Sequence, residues 1–391
     1  MINIAVIFDA SLEDRKGKFN AVLGRIKALR TVCSQMSVDV YLIHEYDTLI
    51  PRILRNSLSS EHIKSTIVDD IQINILWRGV YLIDLISMRK FNGKAFISDY
   101  FGSKRDIKLF KRYDLISSHS FYANRLAMQI NEKYGIPFYA NWHGSDIHSV
   151  ENKYERRETK KILKRAKCNF FVSNSLAETA KQFTSRYKFE ILFNGIDQKK
   201  FFKYSESMRY MLKNNFGTSN KVVAFVGNII DIKNALLLPD IFYAIKDKYT
   251  KPLTFWVIGD GNLRSKVEDK CKLLGLDVKF WGNQPTERMP DIMNCIDILV
   301  LPSKNEGLPM VLIESIACGA SALASDVGGC KEVVGELNSF KLDSEFINNI
   351  ANRASHLLFE NSPVVFPEKF LWTATAQKED ELYKRDINNE K

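Results

Sequence analysis

The sequence predicts an α/β protein made of two doubly wound domains, each with a mostly parallel sheet. Three observations support this fold class. Short apolar strand patterns alternate with amphipathic helix patterns, the alternation restarts after residue 219, and glycine-rich turns follow several strand patterns. The chain has 391 residues, of which 45% are apolar and 26% are charged, so it can bury the core of a two-domain globular protein.

The first half of the chain alternates between strand and helix patterns. The predicted strands are residues 2–8, 38–44, 71–77, 115–118, 138–142, 169–173 and 189–193, and the predicted helices include residues 19–33 and 176–184. Residues 71–77 have a helical alternative, and an amphipathic surface helix fits residues 71–88 better than a membrane span does. Arg78 and Asp84 interrupt this stretch, so it is not a membrane span of about 20 apolar residues.

The second half repeats the alternation. Its predicted strands are residues 222–227, 253–259, 278–282, 296–302 and 321–325, each followed by a helix pattern or a glycine-rich turn. A polar and aromatic segment at residues 196–219 separates the halves. We therefore expect Rossmann-like domains over residues 1–196 and 197–370, with a C-terminal helix over residues 371–391.

Cysteine usage and the start of the chain predict the compartment. The six cysteines are scattered singly without CxxC pairs, which predicts buried thiols in a reducing environment. Residues 1–8 begin directly with a strand pattern and show no secretory leader. We therefore expect a cytoplasmic protein. The chain contains neither an Asp-x-Asp motif nor a zinc-type cluster, so we also expect that it needs no metal and no cofactor.

Positive charge is concentrated in the first half. Residues 1–200 hold 33 Lys and Arg against 21 Asp and Glu, and the rest of the chain is slightly acidic. Two basic clusters stand out: Lys153, Arg157, Lys160, Lys161, Lys164 and Arg165 at helical spacing, and Lys104, Arg105, Lys108, Lys111 and Arg112. Each cluster alone fits a solvated helix face. Together they suggest peripheral contact with an anionic membrane surface at the inner face of the cell membrane, and not nucleic acid, because no aromatic residues are interleaved.

The sharpest motif is EGLPMVLIE at residues 306–314, followed by SIACG at residues 315–319 and SDVGG at residues 325–329. Glu306 should lie in the loop after a strand, with Pro309 in the first turn of the next helix. The first turn of a helix presents free amides to a phosphate, so we expect donor contacts at Gly307, Leu308, Met310 and Val311. Glu314 stands among apolar residues and needs a hydrogen-bonding partner.

This stretch closely resembles the signature of glycosyltransferase family 4, a large family of retaining enzymes. Further matches are FVGN at residues 225–228 with Lys233, VIGDG at 257–261, NGID at 194–197 and HGSD at 143–146. The resemblance implies the GT-B fold, in which two Rossmann-like domains face each other across a cleft. It further implies that residues 1–196 bind the acceptor, residues 197–370 bind a nucleotide sugar, and the terminal helix returns to the first domain.

The resemblance also implies roles for individual residues. Glu306 would contact hydroxyls of the transferred sugar, Glu314 would bind the donor ribose, and Lys233 would neutralise the donor diphosphate. His143 would lie near the donor sugar, with a core or turn histidine as the alternative. Gly259 and Asp260 form a βα turn that we assign to packing, with donor contact as a second role.

Two positions depart from the family pattern. Asn228 stands where many members carry arginine, so one phosphate cation is missing. The second departure lies near the N-terminus, where family members usually have a pair of glycines that lets the donor phosphate approach the backbone. This chain has the single Gly17 there, between Lys16 and Lys18. Leaving-group stabilisation would then depend more on Lys233 and helix amides.

The sequence thus predicts a retaining glycosyltransferase whose substrates are a nucleotide sugar, expected to be a UDP-sugar, and a glycan or lipid-linked acceptor in bacterial surface polysaccharide synthesis. The family mechanism is same-face attack in a loose ion pair, with the leaving phosphate taking the acceptor proton. It needs no side-chain nucleophile, so Glu306 would not act as a glycosidase carboxylate does. A sugar-nucleotide epimerase and a non-catalytic nucleotide-sugar-binding subunit on the same fold are the alternatives.

Overall fold

A computed structural model describes residues 2–10, 18–33, 35–47, 65–80, 107–148, 150, 153–360 and 363–388. The contacts divide the chain into two compact units. The first unit combines Met1–Gly195 with Trp372–Lys391, and the second is Ile196–Leu371.

The first unit is built on one sheet with helices packed against it. Its strands are β1 (Ile2–Asp9), β2 (Met36–Asp47), β3 (Ser65–Val68), β4 (Ile71–Val80), β5 (Leu115–His119), β6 (Phe138–Trp142), β7 (Cys168–Phe171) and β8 (Phe189–Ile191). The described strands lie in the order β3-β4-β2-β1-β5-β6-β7-β8, and all neighbours are parallel except β3 and β4. The strand order reverses between β1 and β5, which makes that edge the natural ligand-binding position.

The helices of the first unit follow the strands in sequence. They are α1 (Lys18–Val32), α2 (Phe121–Tyr134), α3 (Ser145–His148), α4 (Lys153–Arg165) and α5 (Asn174–Ala180), together with the last helix of the chain, Trp372–Asn388. A short 3₁₀ helix, Ile107–Arg112, precedes β5. The last helix packs against α1, where the Arg25 and Glu379 side chains form a fully buried ion pair at 2.5 Å.

The strand predicted at residues 71–77 is confirmed, because Ile71–Val80 form strand β4. The expectation of an amphipathic surface helix at residues 71–88 is wrong over residues 71–80. The strand pairs in parallel with β2 and antiparallel with β3. Its residues alternate between buried and more exposed, with Ile71, Ile73 and Ile75 buried and Gln72 exposed. This period of two and the β-branched isoleucines favour a strand, and they outweigh the helical spacing of the longer stretch. Residues 81–88 lie outside the described part of the chain.

The second unit has a six-stranded, fully parallel sheet. Its strands are β9 (Lys221–Val226), β10 (Leu253–Ile258), β11 (Val278–Gly282), β12 (Ile298–Leu301), β13 (Ser321–Ser325) and β14 (Ser339–Phe340). They lie in the order β11-β10-β9-β12-β13-β14. This is the doubly wound order of dinucleotide-binding domains, and its reversal lies between β9 and β12.

Helices cover this sheet and complete the second unit. They are α6 (Glu206–Asn215), α7 (Leu238–Lys248), α8 (Arg264–Leu273), α9 (Met289–Cys295), α10 (Met310–Ala317), α11 (Cys330–Val334) and α12 (Phe346–Glu360). The last helix of the chain, which belongs to the first unit, is numbered α13 (Trp372–Asn388). All four residues of β12 are buried, as expected for an inner parallel strand covered on both faces. Each buried Ile, Leu or Val side chain contributes roughly 1.5–3 kcal/mol.

All six cysteines are free thiols and all are buried, as the sequence predicts. Burial raises the pKa of Cys33, Cys168 and Cys295 to about 12, so these thiols stay protonated near neutral pH. Within the described residues, no helix is both long and apolar enough to cross a membrane.

Candidate active site

The loops that follow β9 and β12 lie side by side, because these two strands pair with each other where the strand order reverses. Ligands of open α/β sheets bind at this position, beyond the carboxyl ends of the strands. The loop after β9 carries Asn228 and Lys233, and the loop after β12 carries Ser303 and Glu306. The two sequence motifs therefore meet at one site.

Lys233 and Glu306 form an ion pair across the two loops. The Lys233 Nζ atom donates to Glu306 Oε1 at 2.5 Å, and the side chains are 23% and 10% exposed. The Ser303 hydroxyl, which is fully buried, donates to the same oxygen at 2.6 Å. In the described part of the chain no group donates to Glu306 Oε2. One carboxylate oxygen is thus held by the protein and the other is open to a ligand.

Backbone contacts hold the two loops together beside this pair. The Lys304 N–H donates to the Ile232 carbonyl at 2.8 Å, and the Lys304 ammonium pairs with Asp231 at 2.6 Å. Below the loop, the Ser325 hydroxyl donates to the Ser303 carbonyl at 2.5 Å. The loop that carries Glu306 is therefore held by the loop after β9 on one side and by strand β13 on the other.

Gly328 lies directly against the backbone of Glu306. It adopts a left-handed conformation with φ +53°, and a Cβ atom added there would stand 1.8 Å from the Glu306 carbonyl oxygen. The next residue, Gly329, donates its N–H to the Gly307 carbonyl at 2.9 Å. The SDVGG motif thus supports the Glu306 loop through close backbone contact that only glycine allows.

Helix α10 begins immediately after this loop. Pro309 precedes its first residue, and Met310 and Val311 form the first turn, partly exposed, while Leu308 is buried. The first N–H groups of a helix have no intrahelical acceptor and lie at the positive end of the helix dipole. The predicted phosphate-binding segment is therefore a helix N-terminus beside Lys233 and Glu306.

Glu314 lies one turn further along α10 and is only partly exposed. Burial raises the pKa of its carboxyl to about 7, and the charge of Lys200 lowers it in part. Among the residues that the structure describes, none donates a hydrogen bond to this carboxylate. The sequence predicts that this carboxylate needs a hydrogen-bonding partner, and no described residue supplies one.

The remaining predicted donor residues occupy the neighbouring strand ends. Gly259 follows β10, and a Cβ atom there would lie 2.0 Å from the Gly227 carbonyl oxygen, so the residue serves close packing of two strand ends. The Asp260 carboxylate accepts from the Gly261 N–H at 2.7 Å and pairs with Arg264. Asn228 is exposed after β9. Gly17 lies outside the described residues.

In the first unit, His143 follows β6 and faces His119 at the end of the neighbouring strand β5. The His119 Nδ1 and His143 Nε2 atoms are 3.1 Å apart, and the two rings stack at 5.3 Å between centroids. Both residues lie at carboxyl strand ends next to the strand-order reversal of this sheet. The pair therefore occupies the first unit's natural ligand-binding edge.

The HGSD motif also closes the turn after β6. The Asp146 carboxylate accepts the backbone N–H of His143 at 3.0 Å and that of Gly144 at 2.9 Å. Asp146 lies in the first turn of α3 and reaches back to the backbone N–H groups just before the helix, as the acidic residue of a capping box does. The motif thus has a structural part, carried by Asp146, and a chemical part that His143 can carry.

Comparison with known families decides the class of the protein. The sequence matches the model of the family described as Glycosyltransferase Family 4 over residues 71–200, and the model of Glycosyl transferases group 1 over residues 209–360. The two matches do not overlap and together span most of the chain. The chain is a glycosyltransferase of the family 4 and group 1 type.

Individual relatives of this glycosyltransferase have modest identity. An uncharacterized glycosyltransferase of Methanocaldococcus jannaschii is 26% identical over 268 residues, 66% of this chain and 69% of that protein. A Bacillus subtilis glycosyltransferase assigned to teichuronic acid biosynthesis is 27% identical over 229 residues, 57% of this chain. That second match spans 56% of the relative's own length.

Solved structures confirm the fold class. The Thermosynechococcus elongatus sucrose-phosphate synthase matches with a TM-score of 0.74 and 17% identity over the whole of both chains. The structure of Anabaena HepE in complex with UDP matches with a TM-score of 0.69 and 18% identity, covering 97% of this chain and 99% of that one. These likenesses show that the glycosyltransferase has the GT-B fold with two Rossmann-like domains.

Two residues of these sites are absent from the sequence motifs. Ser303 lies two residues beyond the end of β12, and His119 is the last residue of β5. Each contacts a residue that the motifs do contain. Their position at strand ends is the signal that could have indicated them. No three His, Cys, Asp or Glu residues come together as a metal site in the described ranges. Metal independence stays a prediction.

Proposed function

We propose that the protein is a retaining, metal-independent glycosyltransferase that transfers a sugar from a nucleotide sugar, a UDP-sugar, to a glycan or lipid-linked acceptor. The observation that carries this proposal is the ion pair of Lys233 and Glu306 at the strand-order reversal of the second unit. A cation and a carboxylate fixed beside a helix N-terminus can hold a phosphate and a sugar hydroxyl next to each other.

Glu306 is proposed to bind the transferred sugar through its second oxygen. Oε1 already accepts from Lys233 and Ser303, which fixes the carboxylate plane. Oε2 has open lone pairs and can accept from two adjacent sugar hydroxyls. This arrangement orients the sugar without requiring covalent attack by the carboxylate.

Glu314 is proposed to bind the donor ribose. Its carboxylate is partly buried, lacks a donor among the described residues, and has a raised pKa because ionisation is costly there. Ribose hydroxyls would supply the two hydrogen bonds that stabilise the ionised form. The nucleotide assignment draws on Anabaena HepE, which was solved in complex with UDP.

Lys233 and the first amides of α10 are proposed to stabilise the leaving diphosphate. In the reaction, the bond between the anomeric carbon and the phosphate oxygen breaks, and its electron pair stays on the phosphate. The acceptor oxygen then bonds to the same face of the anomeric carbon, and its proton passes to the departing phosphate. His143 is the residue of the first unit proposed to act on the donor sugar.

A two-stage experiment tests this function. Thermal-shift screening of UDP-, GDP- and ADP-sugars first identifies the donor, and ¹H NMR then follows that donor with and without glycan acceptors. We expect nucleotide release in the wild type and its loss in Glu306→Ala, while Glu287→Ala, an exposed carboxylate of the same unit, retains it. Full activity in Glu306→Ala would refute the proposed site.

The same mixtures separate the alternatives. A new nucleotide sugar formed without acceptor would identify an epimerase. Donor binding without nucleotide release across all acceptors would identify a binding subunit. Either result would replace the transfer reaction proposed above.

The acceptor is proposed to lie at an anionic membrane, because helix α4 presents a stripe of unpaired positive charge. Four exposed cations lie at intervals of three and four residues and form no ion pair with any described residue: Lys153, Arg157, Lys160 and Lys164. By contrast, Lys161 pairs with the buried Glu158. The second cluster is represented by Lys108, Lys111 and Arg112, and its Lys104 and Arg105 lie outside the described residues.

Vesicle binding tests this membrane proposal. Each cation near an anionic surface contributes about 1 kcal/mol, so changing the four α4 cations to glutamine should weaken binding to anionic vesicles by up to about a thousandfold. The matched control changes four exposed lysines of the second unit, namely Lys246, Lys266, Lys272 and Lys279. Equal binding of the wild type to neutral and anionic vesicles would contradict the proposal.

A further inference from the structure

The second unit contains a cleft at the edge of its sheet that lies opposite the candidate active site. The cleft opens beside Lys221, Ile298 and Ser321, which are the first residues of β9, β12 and β13. Lys233 and Glu306, in contrast, follow the last residues of β9 and β12. The cleft has a volume of about 380 Å³, within the roughly 300–1,000 Å³ of small-molecule sites. It is therefore a cavity separate from the candidate active site.

The side chains that line the cleft carry more positive than negative charge. Four cations and two carboxylates lie there, namely Lys203, Arg209, Lys213 and Lys221 with Glu206 and Asp297. Residues 201–391 together hold 23 Lys and Arg against 25 Asp and Glu. The cleft is thus positively charged in a half of the chain that is slightly acidic, and this favours an anionic ligand.

Two of the lysines converge on one carboxylate. Asp297 accepts from Lys213 at 2.5 Å and from Lys221 at 3.3 Å. The backbone N–H of Val222 also donates to this carboxylate, at 2.8 Å. The side chains of Lys213 and Asp297 are each only 12% exposed. One negative charge therefore faces two positive charges at a place that water reaches poorly.

The other two cations share the second carboxylate in the same way. Glu206 accepts from Lys203 at 3.0 Å and from Arg209 at 3.3 Å. The stem of Lys203 lies against Gly319, where an added Cβ would stand 2.9 Å from the nearest lysine carbons. Glycine at this position leaves room for the lysine along the cleft. These contacts hold the cations in place before any ligand arrives.

Neutral groups in the cleft suit the remainder of a ligand. The hydroxyls of Tyr210, Ser219 and Ser321 line it, and in the described ranges no residue forms a hydrogen bond with any of the three. Each hydroxyl can both donate and accept, as a sugar hydroxyl does. Leu358 and Val364 add apolar surface, and the Tyr210 ring is 63% exposed. An exposed aromatic ring beside unpartnered hydroxyls fits the mixed surface of a sugar ring.

We propose that this cleft binds a small phosphorylated sugar at a site distinct from the donor site. The phosphate lies among the four cations, and the sugar contacts Tyr210 and the two serines. A phosphate matches the excess of two positive charges, and hydroxyls match the unpartnered hydroxyls. The proposal does not rest on the transfer reaction proposed above, because binding is measured without donor or acceptor.

Isothermal titration calorimetry of the full chain at low ionic strength tests the proposal. The probes are glucose 6-phosphate, mannose 6-phosphate and glucose 1-phosphate, with glucose and inorganic phosphate for comparison. We expect saturable binding of at least one sugar phosphate, weaker binding of inorganic phosphate, and no binding of glucose. Failure of all three sugar phosphates to bind the wild type would overturn the proposal. Equal affinity for inorganic phosphate, or for glucose, would also overturn it.

Variants of the cleft place the binding there. Lys203→Gln removes one charged hydrogen-bond donor and should weaken binding about tenfold. Adding Ser219→Asp to it leaves three cations and three carboxylates, so saturable binding should be lost. Lys181→Gln is the matched control, because Lys181 pairs with Glu178 three residues away and its side chain is 48% exposed, as that of Lys203 is. It should bind as the wild type does.

A variant of the donor site separates the two sites. Lys233→Gln removes the cation of the donor site, so it should leave the affinity for the sugar phosphate unchanged. Loss of binding in Lys233→Gln, or wild-type affinity in a folded Lys203→Gln, would overturn the assignment to the cleft. Lys203 and Ser219 are exposed, so both cleft variants should show the urea unfolding transition of the wild type. If the double variant fails to fold, Lys203→Gln decides alone.

Discussion

Replacing Gly328 by alanine should disable the site with little change elsewhere. The added Cβ would lie 1.8 Å from the Glu306 carbonyl oxygen, whereas real Cβ contacts are not shorter than 3.0 Å, so the loop must move by about 1.2 Å. Glu306 is held by hydrogen bonds of 2.5 and 2.6 Å that cannot both survive such a shift. A misplacement of about 1 Å can cost roughly 100-fold in rate.

Gly335→Ala provides a control for backbone strain. Gly335 also has a positive φ, +79°, but an added Cβ would meet nothing within 4 Å. Both variants should lose about 1–2 kcal/mol of stability from the left-handed conformation. Only Gly328→Ala should lose about 100-fold in kcat/KM, measured as nucleotide release from the identified donor. Equal rates in the two variants would refute the claim that Gly328 positions Glu306.

Two further predictions concern Glu314 and Ser303. The folded-state pKa of the Glu314 carboxyl, about 7, lies above the ordinary value of 4.5, because the folded protein favours the protonated form. The contribution of this group to the stability of the fold is therefore complete below pH 4.5 and is lost as pH rises through 7. In urea unfolding, Glu314→Gln should therefore have the same free energy of unfolding as the wild type at pH 4.5 and a free energy higher by up to about 3 kcal/mol at pH 8. The variant should also bind the donor more weakly. Equal free energies of unfolding at pH 8 would contradict the raised pKa. Ser303→Ala removes a hydrogen bond to a carboxylate and should lower kcat/KM by about 10- to 100-fold. Ser315→Ala, which removes a buried hydroxyl bonded to the Leu312 carbonyl, should leave kcat/KM nearly unchanged.

The fold and the meeting of Lys233 with Glu306 could be predicted from the sequence for physical reasons. Both residues follow apolar strand patterns, and doubly wound topology brings the carboxyl ends of β9 and β12 together. The expectation that Glu314 needs a hydrogen-bonding partner followed from its apolar neighbours. In each case the information is local in the sequence and the topology supplies the rest.

Other features depend on contacts that no local pattern contains. Residues 71–80 show both periods, and strand pairing with β2 and β3 decides between them. The contacts of Ser303 with Glu306 and of His119 with His143 form only when neighbouring strands align. The buried Arg25–Glu379 ion pair joins residues 354 positions apart, so it requires the folded first unit.

The most direct test of the central claim is real-time ¹H NMR of the reaction with the identified donor and a competent acceptor. The first glycosidic product formed shows the configuration at its anomeric carbon. We predict a product that keeps the anomeric configuration of the donor, formed by the wild type and by Glu287→Ala but not by Glu306→Ala. An inverted product, or a retained product formed equally by Glu306→Ala, would contradict it.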